Sequence, residues 1–104
     1  RSWSYKVEEF TDEAVVKISG WALNRKTLRA GTLNIVLTGQ DKQQYIVKSE
    51  RLYRPDVRDA FGKRRLAFAG FEAAFIKQNL PKQHYEVSLV LDGDACMVGS
   101  IVVA

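Results

Sequence analysis

The chain has 104 residues, 46% of them hydrophobic and 27% charged, which is the composition of one packed globular domain and excludes a disordered segment. No apolar run is long enough to cross a bilayer, and the single cysteine cannot form an internal disulfide. The formal net charge of +4 is modest, so its position matters more than its size. We expect one domain over residues 1–104. Because the sequence does not begin with Met, we expect this domain to be part of a longer protein.

Apolar and polar side chains alternate along the first half of the chain, which is the pattern of strands with one buried face. Segments 3–10 and 14–23 are the first two predicted strands. Gly20 inside the second strand indicates a bulge or the close approach of another backbone. After a polar loop, segments 33–38 and 43–52 are predicted to pair as a hairpin.

The segment 52–71 interrupts this alternation. Pro55 suits the first position of a helix, and Asp56 lies in the first turn, where the helix dipole favours an anion. Gly62 is placed to end the helix in a left-handed conformation. We therefore predict a short helical turn near residues 55–61.

Two further features of this turn concern how it is held. Val57 and Phe61 are four residues apart and would share one face, which should pack against the sheets. Arg54 and Asp56 flank Pro55 and could form an internal ion pair that fixes the turn.

The remaining strands are predicted over segments 67–75, 85–91 and 95–103, with Asp92-Gly93 as a tight hairpin turn between the last two. About seven strands with regular turn signals predict an all-β fold, an antiparallel β-sandwich of immunoglobulin-like or jelly-roll type. A five-stranded closed barrel of the oligonucleotide-binding kind is the alternative.

The search for reaction chemistry returns no catalytic residue. His84 is the only histidine and Cys96 the only cysteine, so the chain has neither a multi-imidazole metal site nor a nucleophile with a base beside it in sequence. Asp92 and Asp94 flank Gly93 as ordinary turn composition. We expect no metal, no cofactor and no enzymatic activity of this domain itself.

Positive charge is concentrated between Arg51 and Arg65, where six cations face two anions, while the rest of the chain carries ten of each. An anionic partner would dock on such a segment, although a charge run can equally be a solvated loop. The tentative ligand-binding residues are Tyr53, Arg54, Arg58, Lys63, Arg64 and Arg65.

Several aromatic residues stand beside polar positions and could stack on sugar faces: Trp3, Tyr5, Trp21, Tyr45, Tyr53 and Tyr85. For Trp21 we favour a place in the core over a ligand platform, because small sandwiches commonly bury one large ring. For Tyr53 the two alternatives are equally supported.

Three motifs occur in a characteristic order: ISGWAL at 18–23, RPDV at 54–57 followed by Phe61, and AGFEA at 69–73. Over about residues 14–92 the chain resembles small β-sandwich modules appended to bacterial surface-polysaccharide glycosyltransferases and teichoic-acid-type glycerophosphotransferases. In this resemblance the motif residues are structural: Gly20, Trp21, Pro55, Asp56, Phe61, Gly70 and Phe71.

The resemblance implies a non-catalytic accessory domain in cell-wall polysaccharide biosynthesis, with a glycan or polyol-phosphate polymer and the parent's catalytic domain as partners. It implies a cytoplasmic location, or the inner face of the cell membrane through the parent protein. The alternative is a protein-interaction or oligomerisation module that orients a glycosyltransferase. Nucleic acid is disfavoured, since neither a helix-turn-helix nor a ribonucleoprotein aromatic motif is present.

Overall fold

The computed structural model describes residues 2–104 and divides them into eight strands, one α-helix and two short 3₁₀ turns. The strands are β1 (Trp3–Asp12), β2 (Val15–Asn24), β3 (Leu33–Gly39), β4 (Gln44–Lys48), β5 (Glu50–Leu52), β6 (Gly70–Ile76), β7 (His84–Leu91) and β8 (Asp94–Val102). The helix is α1 (Pro55–Phe61), and the 3₁₀ turns are Arg64–Leu66 and Lys77–Asn79. The predicted all-β fold with one short helical turn is confirmed.

The strands form two four-stranded antiparallel sheets. The first sheet has the order β1-β2-β6-β5 and the second sheet the order β4-β3-β7-β8. These orders match those of immunoglobulin-like sandwiches, with the variable-type extra strand beside the third. The structure therefore selects the immunoglobulin-like alternative, and the closed five-stranded barrel is wrong because the strands belong to two separate sheets.

Tyr85 provides a second mark of this fold. It lies near the start of β7, its ring is buried, and its hydroxyl donates a hydrogen bond to the Pro81 carbonyl at 2.6 Å. A tyrosine that ties the entry of this strand to the backbone just upstream is the tyrosine corner of immunoglobulin-like domains. Tyr85 and the likewise buried Trp3 are thus core residues, and the stacking role considered for them is wrong.

The core forms between the sheets from the inward side chains of both. On β2 and β7 every second residue is fully buried, as the alternation in the sequence predicts. Over all the strands of both sheets, the largest fully buried side chains of this core are Ile18, Phe71, Tyr85, Ile35, Leu37, Leu89, Leu91 and Ile101. Half-buried aromatic rings also pack on this cluster: Tyr5, Phe10, Tyr45 and Phe75.

The predicted strand 43–52 is divided in two. β4 pairs with β3 in the second sheet, whereas β5 pairs with β6 in the first, so the chain changes sheets at Ser49. The Ser49 hydroxyl donates to the Leu33 carbonyl at 2.9 Å, which satisfies an acceptor that the departing strand leaves behind. The strand count rises from seven to eight for this reason.

Gly20 marks a bulge, as predicted. The register of β1 against β2 shifts between Val7 and Glu9, leaving Glu8 as the extra residue. A Cβ atom at position 20 would lie 1.9 Å from the Lys6 carbonyl oxygen, so only glycine lets β1 come this close.

Candidate ligand-binding surface on the first sheet

The connection from β5 to β6 folds back as α1 over the outer face of the first sheet. Pro55 occupies the start of the helix and Asp56 its first turn, as predicted. Gly62 ends the helix with φ 67°, and its N–H bonds to the carbonyls of the last turn. The helix has only 7 residues, too few to be stable alone, so its position depends on what it packs against.

A second apolar cluster lies beneath α1, separate from the sandwich core. Its buried members are Leu23, Val57, Leu66 and Ala69. Trp21 packs against this cluster half-buried, and Phe61 meets the Trp21 ring edge-on at 5.9 Å between centroids. Trp21 is thus a packing residue, as favoured, although on the outside of the first sheet. The shared face of the helix is confirmed for Val57, while Phe61 stays 37% exposed.

Arg54 is the central ion-pairing residue of this connection. Its guanidinium donates to Asp56 through Nε at 2.9 Å and Nη2 at 2.8 Å, and to Glu8 through Nη1 at 2.5 Å and Nη2 at 3.1 Å. Four of its five N–H groups are therefore used within the protein. The predicted Arg54–Asp56 pair is confirmed. A third residue of this ion-pair network, Glu8, comes from the β1 bulge.

Gly70 makes room for this network. A Cβ atom at position 70 would lie 2.5 Å from Cγ of Arg54 and 2.8 Å from the Leu52 carbonyl oxygen. Arg54 follows β5 at one edge of the first sheet and Glu8 lies in β1 at the other edge. The arginine side chain therefore crosses the sheet over Gly70 and ties the helix entry to the far strand.

The electrostatics of the network follow from these bonds. The hydrogen bonds from Arg54 hold the pKa of Asp56 at about 2, and they lower the pKa of Glu8 from its ordinary value. The pKa of Arg54 is raised in turn, chiefly by its bond to Asp56. All three groups are charged at neutral pH, so one cation faces two anions and the network offers no free positive charge to an external ligand.

Arg51 is also committed to the fold. Its guanidinium donates to the backbone carbonyls of Ala69 at 2.9 Å, Gly31 at 3.3 Å and Ala30. Burial lowers the pKa of Arg51 to about 10, against an opposing attraction from Asp92, so the group remains charged at neutral pH. It fixes the loop before β3 to the connection before β6.

Tyr53 and Phe68 form an exposed ring pair beside the helix. Their centroids are 5.6 Å apart, and the residues are 54% and 56% exposed. The Arg58 guanidinium lies 5.8 Å from the Tyr53 ring centroid, with Nη1 donating to the Tyr53 hydroxyl at 3.1 Å and Nε to Asp59 at 3.0 Å. We call Tyr53, Phe68 and Arg58 the platform.

Beyond the platform lies a run of three cations, Lys63, Arg64 and Arg65, which we call the basic turn. All three residues are exposed, and in the part of the chain that the structure describes no ion pair or side-chain hydrogen bond holds them. Arg58 joins the two regions, since it borders the same shallow groove as Lys63 and Arg64. The platform thus adjoins the basic turn at Lys63 and Arg64, and Asp59 lines the same groove.

The structure shows which cations of the 51–65 segment are bonded to other groups of the protein. Of its six cations, Arg51 is bonded to carbonyls, Arg54 to two carboxylates and Arg58 to Asp59. Only the basic turn carries charge that no neighbouring anion offsets. Of the six candidate ligand-binding residues, Tyr53, Arg58, Lys63 and Arg64 therefore adjoin one another, and Arg65 is exposed next to them in the chain. Arg54 serves to position the turn.

Phe68 is the surface residue that the sequence analysis missed. It was included in a predicted strand beginning at residue 67, whereas β6 begins at Gly70. The 3₁₀ turn at 64–66 delays the strand and turns Phe68 out beside Tyr53. The signal in the sequence was the loss of alternation in residues 66–69. In the structure, Leu66 and Ala69 are buried there and Phe68 is exposed.

The residues excluded from chemistry remain outside this surface. His84 is exposed at the start of β7, and the Cys96 thiol is half-buried 3.1 Å from the Tyr5 hydroxyl. Asp92 accepts bonds from the Thr32 N–H and the Asn24 amide, which fix the loop before β3, and these bonds lower its pKa. Within residues 2–104 no group of three acidic, His or Cys side chains is arranged to hold a metal ion, and no helix has the length and apolarity needed to span a membrane.

Comparison of the chain with protein-family models, with curated proteins and with solved structures finds no match.

Proposed function

We propose that this chain is a non-catalytic binding domain that holds an anionic glycan or polyol-phosphate polymer on the platform and basic turn. The observation that supports it most is that an exposed ring pair is joined through Arg58 to a run of three cations for which residues 2–104 supply no ion-pair partner. The faces of the Tyr53 and Phe68 rings suit the C–H faces of a sugar or a polyol. Arginine and lysine side chains suit the phosphate or carboxylate groups that follow along such a polymer.

The rigidity of the surface supports the same proposal. The second apolar cluster and the Arg54 and Arg51 bonds hold both ends of the connection, so Tyr53 and Phe68 lie on an anchored backbone. Binding then requires ordering only of the basic side chains, which lowers its entropic cost. As an accessory domain, the chain would retain a growing polymer beside the catalytic domain of a parent glycosyltransferase, as its resemblance to such modules suggests.

The proposal is tested by titrating the domain with poly(glycerol phosphate) and following amide shifts by NMR at low and high salt. We expect shifts at Tyr53, Arg58, Phe68 and the basic turn, and weaker binding at high salt, because exposed charges are screened over about 10 Å at 0.1 M ionic strength. Absence of binding at low salt would refute the proposal.

Two variants separate a site from general charge attraction. K63Q/R64Q/R65Q should weaken binding by about tenfold, since each lost ion pair at an exposed site contributes up to about 1 kcal/mol. The matched control K26Q/K42Q/K82Q removes three exposed cations elsewhere and should leave affinity within about twofold. Equal losses in both triples, or equal affinity for a single-stranded oligonucleotide, would indicate non-specific attraction and contradict a glycan site.

The aromatic part is tested separately with Y53A and F68A. If the rings stack on the polymer, each variant should weaken binding by several-fold without reducing its salt dependence. If both variants bind the polymer as tightly as the parent does, the rings do not contact it. That result would contradict stacking on its sugar or polyol units.

A further inference from the structure

Asp59 places a negative charge inside the groove that the proposed function assigns to an anionic polymer. Its carboxylate lines this groove together with three cations, Arg58, Lys63 and Arg64, and its side chain is 71% exposed. Gly62 keeps the groove open, because no atom beyond its own neighbours in the chain lies within 4 Å of the position that a Cβ would take. A ligand in the groove therefore meets the carboxylate as well as the cations.

The stability of α1 gains little from a carboxylate at this position. Asp59 lies in the last turn of the helix, where the negative end of the helix dipole favours a cation. Its ion-pair partner Arg58 is the preceding residue, and neighbouring side chains on a helix do not face each other. Both side chains are solvent-accessible, and exposed pairs of this kind contribute little to stability. The carboxylate therefore acts mainly on what enters the groove.

One oxygen of this carboxylate is left open to a ligand. Arg58 Nε donates to Asp59 Oδ1 at 3.0 Å, and within residues 2–104 the Asp59 side chain forms no other hydrogen bond. An ionised carboxylate only accepts hydrogen bonds. It therefore repels the oxygens of a phosphate diester, which carry negative charge and no proton, and it attracts a hydroxyl group, which can donate.

Arg58 and Asp59 together match two groups that lie side by side on a polyol phosphate. Of the five N–H groups of Arg58, the one on Nε donates to Asp59 and one on Nη1 donates to Tyr53, which leaves three for a phosphate. The adjacent carboxylate oxygen is left for a hydroxyl on the unit between two phosphates. We propose that Asp59 is a specificity-determining residue that accepts a hydrogen bond from such a hydroxyl, which presupposes the polymer binding proposed above.

The same carboxylate selects against polyanions that carry no hydroxyl group. Such a ligand is attracted by Lys63 and Arg64 and repelled by Asp59, and it has no donor that would offset the repulsion. Specificity depends on the difference between two affinities, and a charge that opposes the wrong ligand increases this difference. Asp59 therefore restricts a general anion-binding groove to polyol or sugar phosphates.

Two polymers with the same phosphate spacing test this role: poly(glycerol phosphate), and poly(propanediol phosphate), which lacks only the hydroxyl group. Calorimetric titration of the whole chain at low salt measures both affinities. The parent should bind the glycerol polymer about two- to tenfold more tightly, as expected from one net hydrogen bond. D59A removes the acceptor, so its two affinities should be equal. The matched control E13A removes an exposed carboxylate outside the groove and should keep the preference.

The comparison of the two polymers distinguishes selection from a structural role, with circular dichroism verifying the fold of each variant. If Asp59 only positioned Arg58, D59A would change both affinities by the same factor and keep the preference, which would overturn the proposed role of Asp59. Equal affinity of the parent for the two polymers would also overturn it, while the proposed polymer binding would stand. Binding of neither polymer would refute the proposed function and the role of Asp59 with it.

Discussion

The two sheets pack their inner faces on one shared core, but their outer faces differ in what covers them. On the first sheet the connection from β5 to β6 folds back as α1, buries a second cluster, and is tied down through Arg51 and Arg54. On the second sheet, tight turns join β3 to β4 and β7 to β8, and no buried cluster lies on the outer face in residues 2–104.

This difference shows how one long connection makes the two outer faces chemically different. The covered face gains fixed positions for an exposed ring pair and for cations, which suits a charged and partly apolar ligand. The outer face of the second sheet instead leaves Ile46 and Met97 exposed, at 69% and 57%. The following substitutions test this difference between the two outer faces, beginning with the largest expected effect.

Removal of the same apolar bulk from the two faces should have very different costs. Leu66 is fully buried beneath α1, so L66A should lower the free energy of unfolding by about 2–5 kcal/mol. Ile46 is largely exposed on the outer face of the second sheet, so I46A should change the free energy of unfolding by less than about 0.5 kcal/mol. Urea denaturation measures both, and equal losses would contradict a separate cluster under the helix.

Gly70 should be intolerant even of a methyl group. G70A should cost about 1–3 kcal/mol, because the new Cβ would displace the Arg54 side chain and press on the Leu52 carbonyl. In an R54A background the Cγ contact no longer exists, so the same substitution should cost less. The double-mutant cycle by urea denaturation measures this coupling, and strictly additive costs would indicate that Arg54 does not cross the sheet over Gly70.

Acid should weaken the covered face through its carboxylates. The folded-state pKa values of Asp56 and Glu8 are depressed, so the stability they contribute is fully present above their ordinary values and is lost as pH falls below about 4 towards about 2. R54Q removes the cause of both depressions and should flatten the decline in urea midpoint over this window.

The matched control for acid sensitivity is E13Q, which removes an exposed carboxylate that forms no ion pair in the described part of the chain. It should leave the pH profile close to that of the parent. A profile for R54Q that parallels the parent between pH 4 and pH 2 would contradict the network.

The smallest effect on stability is expected at the basic turn. K63Q/R64Q/R65Q should change the free energy of unfolding by less than about 0.5 kcal/mol, since these exposed side chains form no ion pair with any residue that the structure describes. The same variant is expected to weaken polymer binding, so function and stability should separate here. A large loss of stability would mean that the turn is part of the fold.

Much of the fold could be predicted locally. Alternation identified the inward residues of β2 and β7, and Asp92-Gly93 identified the last hairpin because only residues that accept positive φ suit that turn. Pro55 and Gly62 bounded α1 to within a residue for the same reason, since each restricts its own backbone. These features depend on neighbours in sequence, which the sequence displays directly.

The division of the strand at Ser49 was not predictable in this way. Alternation continues through residues 43–52, and only the pairing partners, β3 on one side and β6 on the other, decide where the chain changes sheets. The platform was likewise hidden, because Phe68 meets Tyr53 only after a 3₁₀ turn has delayed β6.

The sequence alone indicated an antiparallel all-β chain with one helical turn, and it located the excess positive charge in the 51–65 segment. Which of those cations are paired depends on contacts that form only in the folded chain. Glu8 is 46 residues from Arg54 along the chain and neutralises it, while the Ala69 and Ala30 carbonyls hold Arg51. Charge is fixed by residue type, but its availability to a ligand depends on partners that folding brings from elsewhere in the chain.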